Sequence, residues 1–330
     1  MYLLLGIILL ILKLVFVLAV LLVGAGWLTW GERRLLGFIQ IRLGPNRAGP
    51  RGFLQPVADI VKLLTKEDLV PEGADRWIFL YSPALVAVTA LLIFAVVPFA
   101  NYWTFFGRRF PMVITDLNVG LLFVLALSSI SVYGMALGGW ASNSKFSLLG
   151  GVRSAAQMIS YELSLGLALV PVVMLAGSFS LSEIVAAQAR YPFILLQPVA
   201  FLIFFISSVA EVKRIPFDLP EAENELQAGY HTEYSGMRFG LYFLGEYVTM
   251  VVFGALVAVF FLGGWLGPVL PSIIWFFGKV SLTVFVLIWL RGTFPRLRYD
   301  QLMHLGWKVL IPVSLLNIIV TGAVVLLIKG

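Results

Sequence analysis

Eight separate windows of this chain, at about 3–29, 78–100, 117–138, 155–178, 193–211, 239–263, 272–291 and 307–328, are apolar over the ~20 residues a helix needs to cross a hydrocarbon core. A chain repeating that pattern has little freedom. Only helices and closed barrels leave no peptide group unpaired in lipid, and windows of this length suit helices. The expected fold class is all-α: a polytopic membrane helix bundle of about eight transmembrane helices, with interfacial amphipathic helices on the inner side. Hydrophobic residues make up 60% of the chain and charged ones 12%, a balance that no soluble surface of this size tolerates. The connections are too short for a folded soluble domain, so 1–330 reads as a single integral membrane domain.

The first window has no basic residues ahead of it and ends in Trp27-Leu-Thr-Trp30 without a small-residue cleavage site, so it reads as a retained span and not a signal peptide. If the N-terminus faces outward, 30–76, 139–154, 212–238, 292–306, Arg291 and Lys308 hold 17 of the 23 Lys and Arg on the inner side. Arg108, Arg109, Arg190 and Lys329 then fall outside, and the positive-inside rule places both termini on the outer side. The net charge of +6 follows from that bias and does not imply nucleic-acid binding.

The chain has no cysteine, and its two histidines, His231 and His304, lie in loops. Thiolate-held iron–sulfur clusters are thereby excluded, and haem between facing histidines is disfavoured. No Gly-rich nucleotide fingerprint joins a strand to a helix. Any electron carrier must reside in another chain.

Of the two long inner segments, 30–76 opens with Gly31-Glu-Arg-Arg34 and passes through Arg42-Leu-Gly-Pro-Asn-Arg-Ala-Gly-Pro-Arg-Gly52, a turn-forming stretch. Phe53, Val57, Val61 and Leu64 then fall on one helical face, while Gln55, Asp59, Lys62 and Lys66 fall elsewhere. That periodicity predicts an interfacial helix, serving either as an anchor or as the frame of an opening from the lipid. The arginines before it serve as orientation signals or as docking points for a soluble partner.

The second long segment, 212–238, continues an apolar window directly into Glu211-Val-Lys-Arg-Ile-Pro-Phe-Asp-Leu-Pro-Glu-Ala-Glu-Asn-Glu225. Glu233 follows, and Glu246 lies inside the next window, as Glu162 does in the fourth. An ionised group at mid-span costs about 2.5–3.5 kcal/mol on insertion scales, so such acids need partners, water or a proton. Glu162, Glu211 and Glu246 are all expected in the inner half of the bilayer, where they converge on one cavity as a proton or cation conduit; the bland alternative is neutral acids bonded between helices for packing. Pro220 and Glu221 suit the opening of a short helix. Lys279 is placed to snorkel outward, and Lys13, at mid-span, has no evident role.

Taken in order, Gly31-Glu-Arg-Arg34, Leu43-Gly-Pro-Asn46, Gly52-Phe-Leu-Gln-Pro56, Gly139-Trp-Ala-Ser-Asn-Ser144, Ile159-Ser-Tyr-Glu-Leu163, Ile215-Pro-Phe-Asp-Leu219, Thr232-Glu-Tyr234, Gly245-Glu-Tyr247 and Pro295-Arg-Leu-Arg-Tyr-Asp-Gln-Leu-Met-His304 carry a resemblance. The chain resembles the H subunit of proton-pumping NADH:quinone oxidoreductase, respiratory complex I, whose mitochondrial counterpart is NADH dehydrogenase subunit 1. The resemblance implies a multi-pass subunit of an energy-converting membrane, the bacterial cytoplasmic membrane above all. It implies a quinone chamber, built with the peripheral arm, past Arg33, Arg34, Phe53, Phe239, Phe243, Arg291, Arg296 and Arg298. It implies a proton relay through Asp59, Glu162, Glu211, Asp218, Glu221, Glu223, Glu225, Glu233 and Glu246 toward antiporter-like membrane subunits. Quinone is then a substrate, FMN and the iron–sulfur clusters sit in partner subunits, membrane lipid surrounds the chain, and the isolated chain has no redox activity. Lys13 is outside the family pattern. Two other readings are a hydrogenase-type or ferredoxin-driven relative, and a free-standing ion-coupled transporter; the absence of an internal repeat weighs against the transporter.

Overall fold

In the computed structural model of the chain, the backbone is described for residues 2–105, 108–220 and 223–329, while side chains at 2–7, 9, 103–110, 223–224 and 329 lie outside the described set. The helices are α1 (Tyr2–Ile39), α2 (Gln55–Thr65), α3 (Arg76–Ile93), α4 (Gly120–Ala141), α5 (Lys145–Ala176), α6 (Leu181–Ala187), α7 (Phe193–Leu196), α8 (Pro198–Glu211), α9 (Glu223–Leu226), α10 (Gly236–Phe261), α11 (Ser272–Thr293), α12 (Tyr299–His304) and α13 (Ile311–Lys329). Between α3 and α4 lies an antiparallel hairpin, β1 (Ala100–Phe105) with β2 (Arg108–Met112), in register from Ala100↔Met112 to Phe105↔Arg108 with an irregularity between Ala100 and Tyr102. Among the described residues, seven helical stretches are long and apolar enough to cross a membrane: those built on α1, α3, α4, α5, α10 and α11, and Tyr299–Ile328, which joins α12 to α13 through wider turns at Leu305–Leu310. This is the polytopic helix bundle that the apolar windows predict.

Three boundaries differ from the periodicity. α1 continues to Ile39, so Gly31-Glu-Arg-Arg34 is helical and not the start of a loop. α5 starts at Lys145 rather than near 155; its 32 residues span about 48 Å, longer than a ~30 Å hydrocarbon core. Polar first turns such as Lys145-Phe-Ser do not interrupt a helix; they only end its apolar run.

The window 193–211 is broken. Gln197 leaves helical geometry at φ −132°, ψ 57°, separating the four residues of α7 from the fourteen of α8. Pro198 favours the break, since its ring disfavours helical geometry at the preceding residue and it opens α8 at N1. Alone, α8 spans about 21 Å, less than a bilayer core. Facing side chains on α13 satisfy the polar break: Asn317 donates to Gln197 at 3.0 Å, and Gln197 donates to Thr321 at 2.9 Å.

α10 is the most buried of the long helices and α13 the least. Close backbone contact fixes the turn after α9: a Cβ on Gly150 of α5 would meet the Gly229 Cα at 2.6 Å. Glycine at 150 lets that turn press onto α5. On α2 the residues Val57, Val61 and Leu64 of the expected apolar face are exposed. Lys13 donates to the carbonyls of Pro111 at 2.6 Å and Val113 at 3.4 Å, tying α1 to the end of the hairpin. Lys279 similarly donates to Gly264 O at 2.9 Å and Leu266 O at 2.6 Å.

Candidate functional site

The site is built where α8 stops. Past Glu211 the chain turns through Val212 and Lys213, and it is pinned by Gln157 of α5, whose amide donates to Ala210 O at 2.8 Å and Phe217 O at 2.9 Å. One polar side chain thereby spans both limbs of the turn. Arg214 is left pointing into the bundle.

Arg214 binds two carboxylates. Its Nη1 donates to Glu32 on α1 at 2.7 Å, and its Nε lies 2.9 Å from Glu246 on α10. Glu32 is 1% exposed; it also accepts from Arg291 of α11 and, at 2.6 Å, from the Tyr247 hydroxyl of α10. Buried charge is tolerable only when paired and hydrogen-bonded, and here each carboxylate meets a guanidinium. Burial pulls the Arg214 guanidinium down, but Glu246 and Glu32 more than offset that and hold it above the ordinary arginine value. It remains a cation at all physiological pH values. The Tyr247 ring lies 4.9 Å from the guanidinium carbon, adding a cation–π contact.

On the other side of the turn, Glu211 is 3% exposed, and neither of its oxygens has a hydrogen-bond partner among the described residues. It faces a cavity of about 20 Å3, shared with Lys213, Glu246, Ser131 and Thr249. That is room for about one water molecule with polar groups around it. Glu162 of α5 acts electrostatically on Glu211 and accepts hydrogen bonds from Ser128 at 2.9 Å and from Ser129. Of the three acids expected to share one cavity, Glu211 and Glu246 line it, while Glu162 is held by the α4 serines outside its wall and reaches Glu211 electrostatically.

The remaining expected residues divide. Asp218 pairs with Arg296 at 2.9 Å just beyond the turn. Asp59 sits apart from the buried acids, on α2, where it accepts from Arg33 and Gln55, both at 2.9 Å. Arg34 donates to Arg51 O at 2.7 Å and lies over the Trp30 and Phe38 rings, while Phe53 packs against Trp27 and Trp30 with centroids 5.5 and 5.7 Å away. Phe239, Phe243 and Tyr247 form an aromatic stripe at four-residue spacing along α10. Glu225 pairs with Arg153 at 2.7 Å on the surface, Glu233 is half-buried, and Arg298 is exposed beside Asp300 at 2.6 Å, away from the network. Glu221 and the side chain of Glu223 lie outside the described residues.

Glu32, Tyr247 and Lys213 were not singled out from sequence. For Glu32 a signal existed: Leu21, Ala25, Thr29 and Glu32 are all buried and follow one helical stripe of α1, so the acid continues a core-facing row. Three further tyrosines line the adjoining turn. Tyr230 accepts from Lys213 at 2.8 Å, Tyr242 donates to Gly134 O at 3.1 Å, and Tyr234 donates to Gly138 O at 3.3 Å. Burial pushes the Tyr234 hydroxyl up to about 12, so it stays a donor.

Fold and network together define a polytopic membrane protein that holds a chain of ionisable side chains between its helices. The sequence profile described as NADH dehydrogenase matches residues 12–322. The chain is 69% identical over 321 residues to an H subunit of NADH-quinone oxidoreductase from Syntrophobacter fumaroxidans, covering 97% of each. It is 63% identical to an H subunit of the same enzyme from Geobacter sulfurreducens over 95% of each chain, and 52% identical to one from Rhodopseudomonas palustris over 93% of each. The chain belongs to the H-subunit family of NADH-quinone oxidoreductase. It is a component of that enzyme complex in the membrane arm of complex I, and its partners are the other subunits of the complex.

Proposed function

We propose that this chain forms, with the peripheral arm, the chamber in which quinone is reduced, and that it passes the resulting change of charge along its buried carboxylates toward antiporter-like subunits that move protons. The observation that carries this reading is the continuity of the network. Glu162, Glu211 and the cavity lead to Glu246, and Arg214 links Glu246 to Glu32 and Arg291. At its far end lies the aromatic and arginine-rich surface of Trp27, Trp30, Arg33, Arg34 and Phe53, facing α2. An amphiphilic quinone with a long apolar tail suits a path between α1 and α2, with its headgroup led inward past Phe239, Phe243 and Arg291. FMN and the iron–sulfur clusters belong to partner subunits; for the clusters this fits a chain without cysteine, which offers no thiolate ligands. With α7 and α8 together making an eighth crossing, charge bias orients the chain with the loops after α1 and α8 on the inner side of the bacterial membrane and both termini outside.

Proton transfer along such a path needs groups that gain and lose a proton without leaving an unpaired ion in lipid. Glu246 is paired, Glu162 is bonded to two hydroxyls, and Glu211 faces the cavity between them. The test is Glu162→Gln and Glu246→Gln in the assembled complex, with quinone reduction and proton translocation measured together. Loss of translocation supports the relay. Both activities at wild-type rates in both variants would remove it.

A further inference from the structure

Directly beside the orphan carboxylate stands a cation in a costly place. Lys213 has φ +56°, in the left-handed region where a side chain other than glycine or asparagine is disfavoured. Its side chain is nevertheless 5% exposed, with Nζ 2.8 Å from the Tyr230 hydroxyl, 3.0 Å from Met135 Sδ and 4.7 Å from the Tyr230 ring centroid. The lysine accepts both an unfavourable backbone and burial of its ammonium at a turn that glycine or asparagine would make more cheaply. Next to it, Arg214 serves Glu32 and Glu246. Lys213 instead shares the cavity wall with Glu211 and acts on it electrostatically.

We propose that Lys213 is a positioning residue of the relay, its ammonium fixing how readily Glu211 releases a proton into the cavity it shares with Glu246. This rests on the relay reading above. Among the described residues, the charged and titratable groups around the pair are Glu246 and Tyr242 on α10, Glu162 on α5, Tyr230 and His231 in the turn after α9, and Arg214 beside it; α4 contributes Ser131 and Met135, and α3 contributes Val86. Of these, Lys213 and Arg214 are the basic side chains on the turn itself. An opposite charge within a few ångströms favours the ionised carboxylate, typically by about one pH unit or more. Removing the ammonium favours the neutral, protonated acid, so a higher pH is needed to free its proton.

The experiment is the pH profile of NADH-driven proton translocation in membrane vesicles carrying the assembled complex, with assembly checked by subunit content. Lys213→Asn removes the charge and suits the left-handed backbone, so the turn is kept; Lys213→Gln is the second neutral variant should the first fail to assemble. The acid limb is expected to move up by about one pH unit or more in either neutral variant, to stay near wild type in Lys213→Arg, and to show no further movement when Lys213→Asn is added to Glu211→Gln. A neutral-variant profile that superimposes on wild type overturns the proposal, and so does a Lys213→Arg profile shifted as far as that of Lys213→Asn. Glu211→Gln separates the two claims. If Glu211→Gln impairs translocation while Lys213→Asn leaves the profile unchanged, only the role of Lys213 fails. If Glu211→Gln translocates like wild type, Glu211 leaves the relay and the role of Lys213 goes with it.

Discussion

Replacing Glu32 by glutamine isolates charge from shape in a buried ion cluster. The carboxylate receives Arg214 at 2.7 Å, Tyr247 at 2.6 Å and Arg291. A glutamine amide oxygen can still accept from the guanidinium groups, and the Tyr247 hydroxyl can rotate to accept from the new amide, so the contacts survive while the negative charge is lost. Breaking a buried pair generally costs about 3–5 kcal/mol. Two features reduce that here: Arg214 keeps Glu246 at 2.9 Å, and the Arg291 side chain is 36% exposed, so water takes up part of its charge. The expected cost is about 2–3 kcal/mol, or roughly a 30- to 150-fold larger population of locally open states. Hydrogen exchange in the assembled complex reads this directly, as faster exchange of amides in 29–35 and 212–217 with the helices of the hairpin end unchanged. Tyr247→Phe, which removes one hydrogen bond to a charged acceptor, is expected nearer about 1.5 kcal/mol. Exchange in Glu32→Gln within twofold of wild type would refute the reasoning, as would a larger effect from Tyr247→Phe than from Glu32→Gln.

Two further substitutions test how the site is positioned. Gly150→Ala places a methyl 2.6 Å from backbone at Gly229, which cannot yield as a side chain would; a cost of about 1–3 kcal/mol is expected, read as faster proteolysis of the 227–235 turn in assembled complex. Lys13→Met removes two donors to Pro111 and Val113 but also a cation from the span. These terms nearly cancel, so the stability of the complex should hold within about 1 kcal/mol of wild type while the amides of Met112 and Val113 exchange faster.

How much of this was legible in the sequence depends on which physical signal each part left. Apolar length marked every long helix, because lipid imposes that length directly. It misjudged where helices extend into water: α1 beyond Trp30 and α5 before residue 155 are polar yet helical. Window averages also pass over Pro198, which breaks the window 193–211 in two. The proximity of Glu211 to Glu246 and Glu162 was readable because an acid in an apolar window stands out against its background, but that Glu162 lies outside the wall of the cavity was not. The role of Glu32 was obscured by its neighbours, since Arg33 and Arg34 made the segment read as a loop; only the buried row of α1 marks it as interior. Asp59 and Arg298 carried the same residue chemistry as the network but not its location, and nothing in their spacing told surface pairing from burial.

The interior also makes a prediction from its charge balance. Among the described residues the network contains four carboxylates, Glu32, Glu162, Glu211 and Glu246, against three cations, Lys213, Arg214 and Arg291. Fully ionised, these described groups carry one surplus negative charge in a region where uncompensated charge is expensive. Neutralising any one acid meets the overall count, yet the geometry ranks them. Glu162→Gln keeps an oxygen for the Ser128 and Ser129 hydroxyls, and Glu211→Gln breaks no hydrogen bond found among the described residues. Glu246→Gln takes the charge from a partner 2.9 Å from Arg214 and is expected to cost about 1–3 kcal/mol more than the other two. Thermal inactivation of the three purified variant complexes gives the comparison: Glu162→Gln and Glu211→Gln near wild type, Glu246→Gln clearly lower. If all three fall together, total charge governs the network and the individual pairings do not. If Glu211→Gln falls furthest, the cavity holds a structural bond to that carboxylate and Glu211 is not its free end.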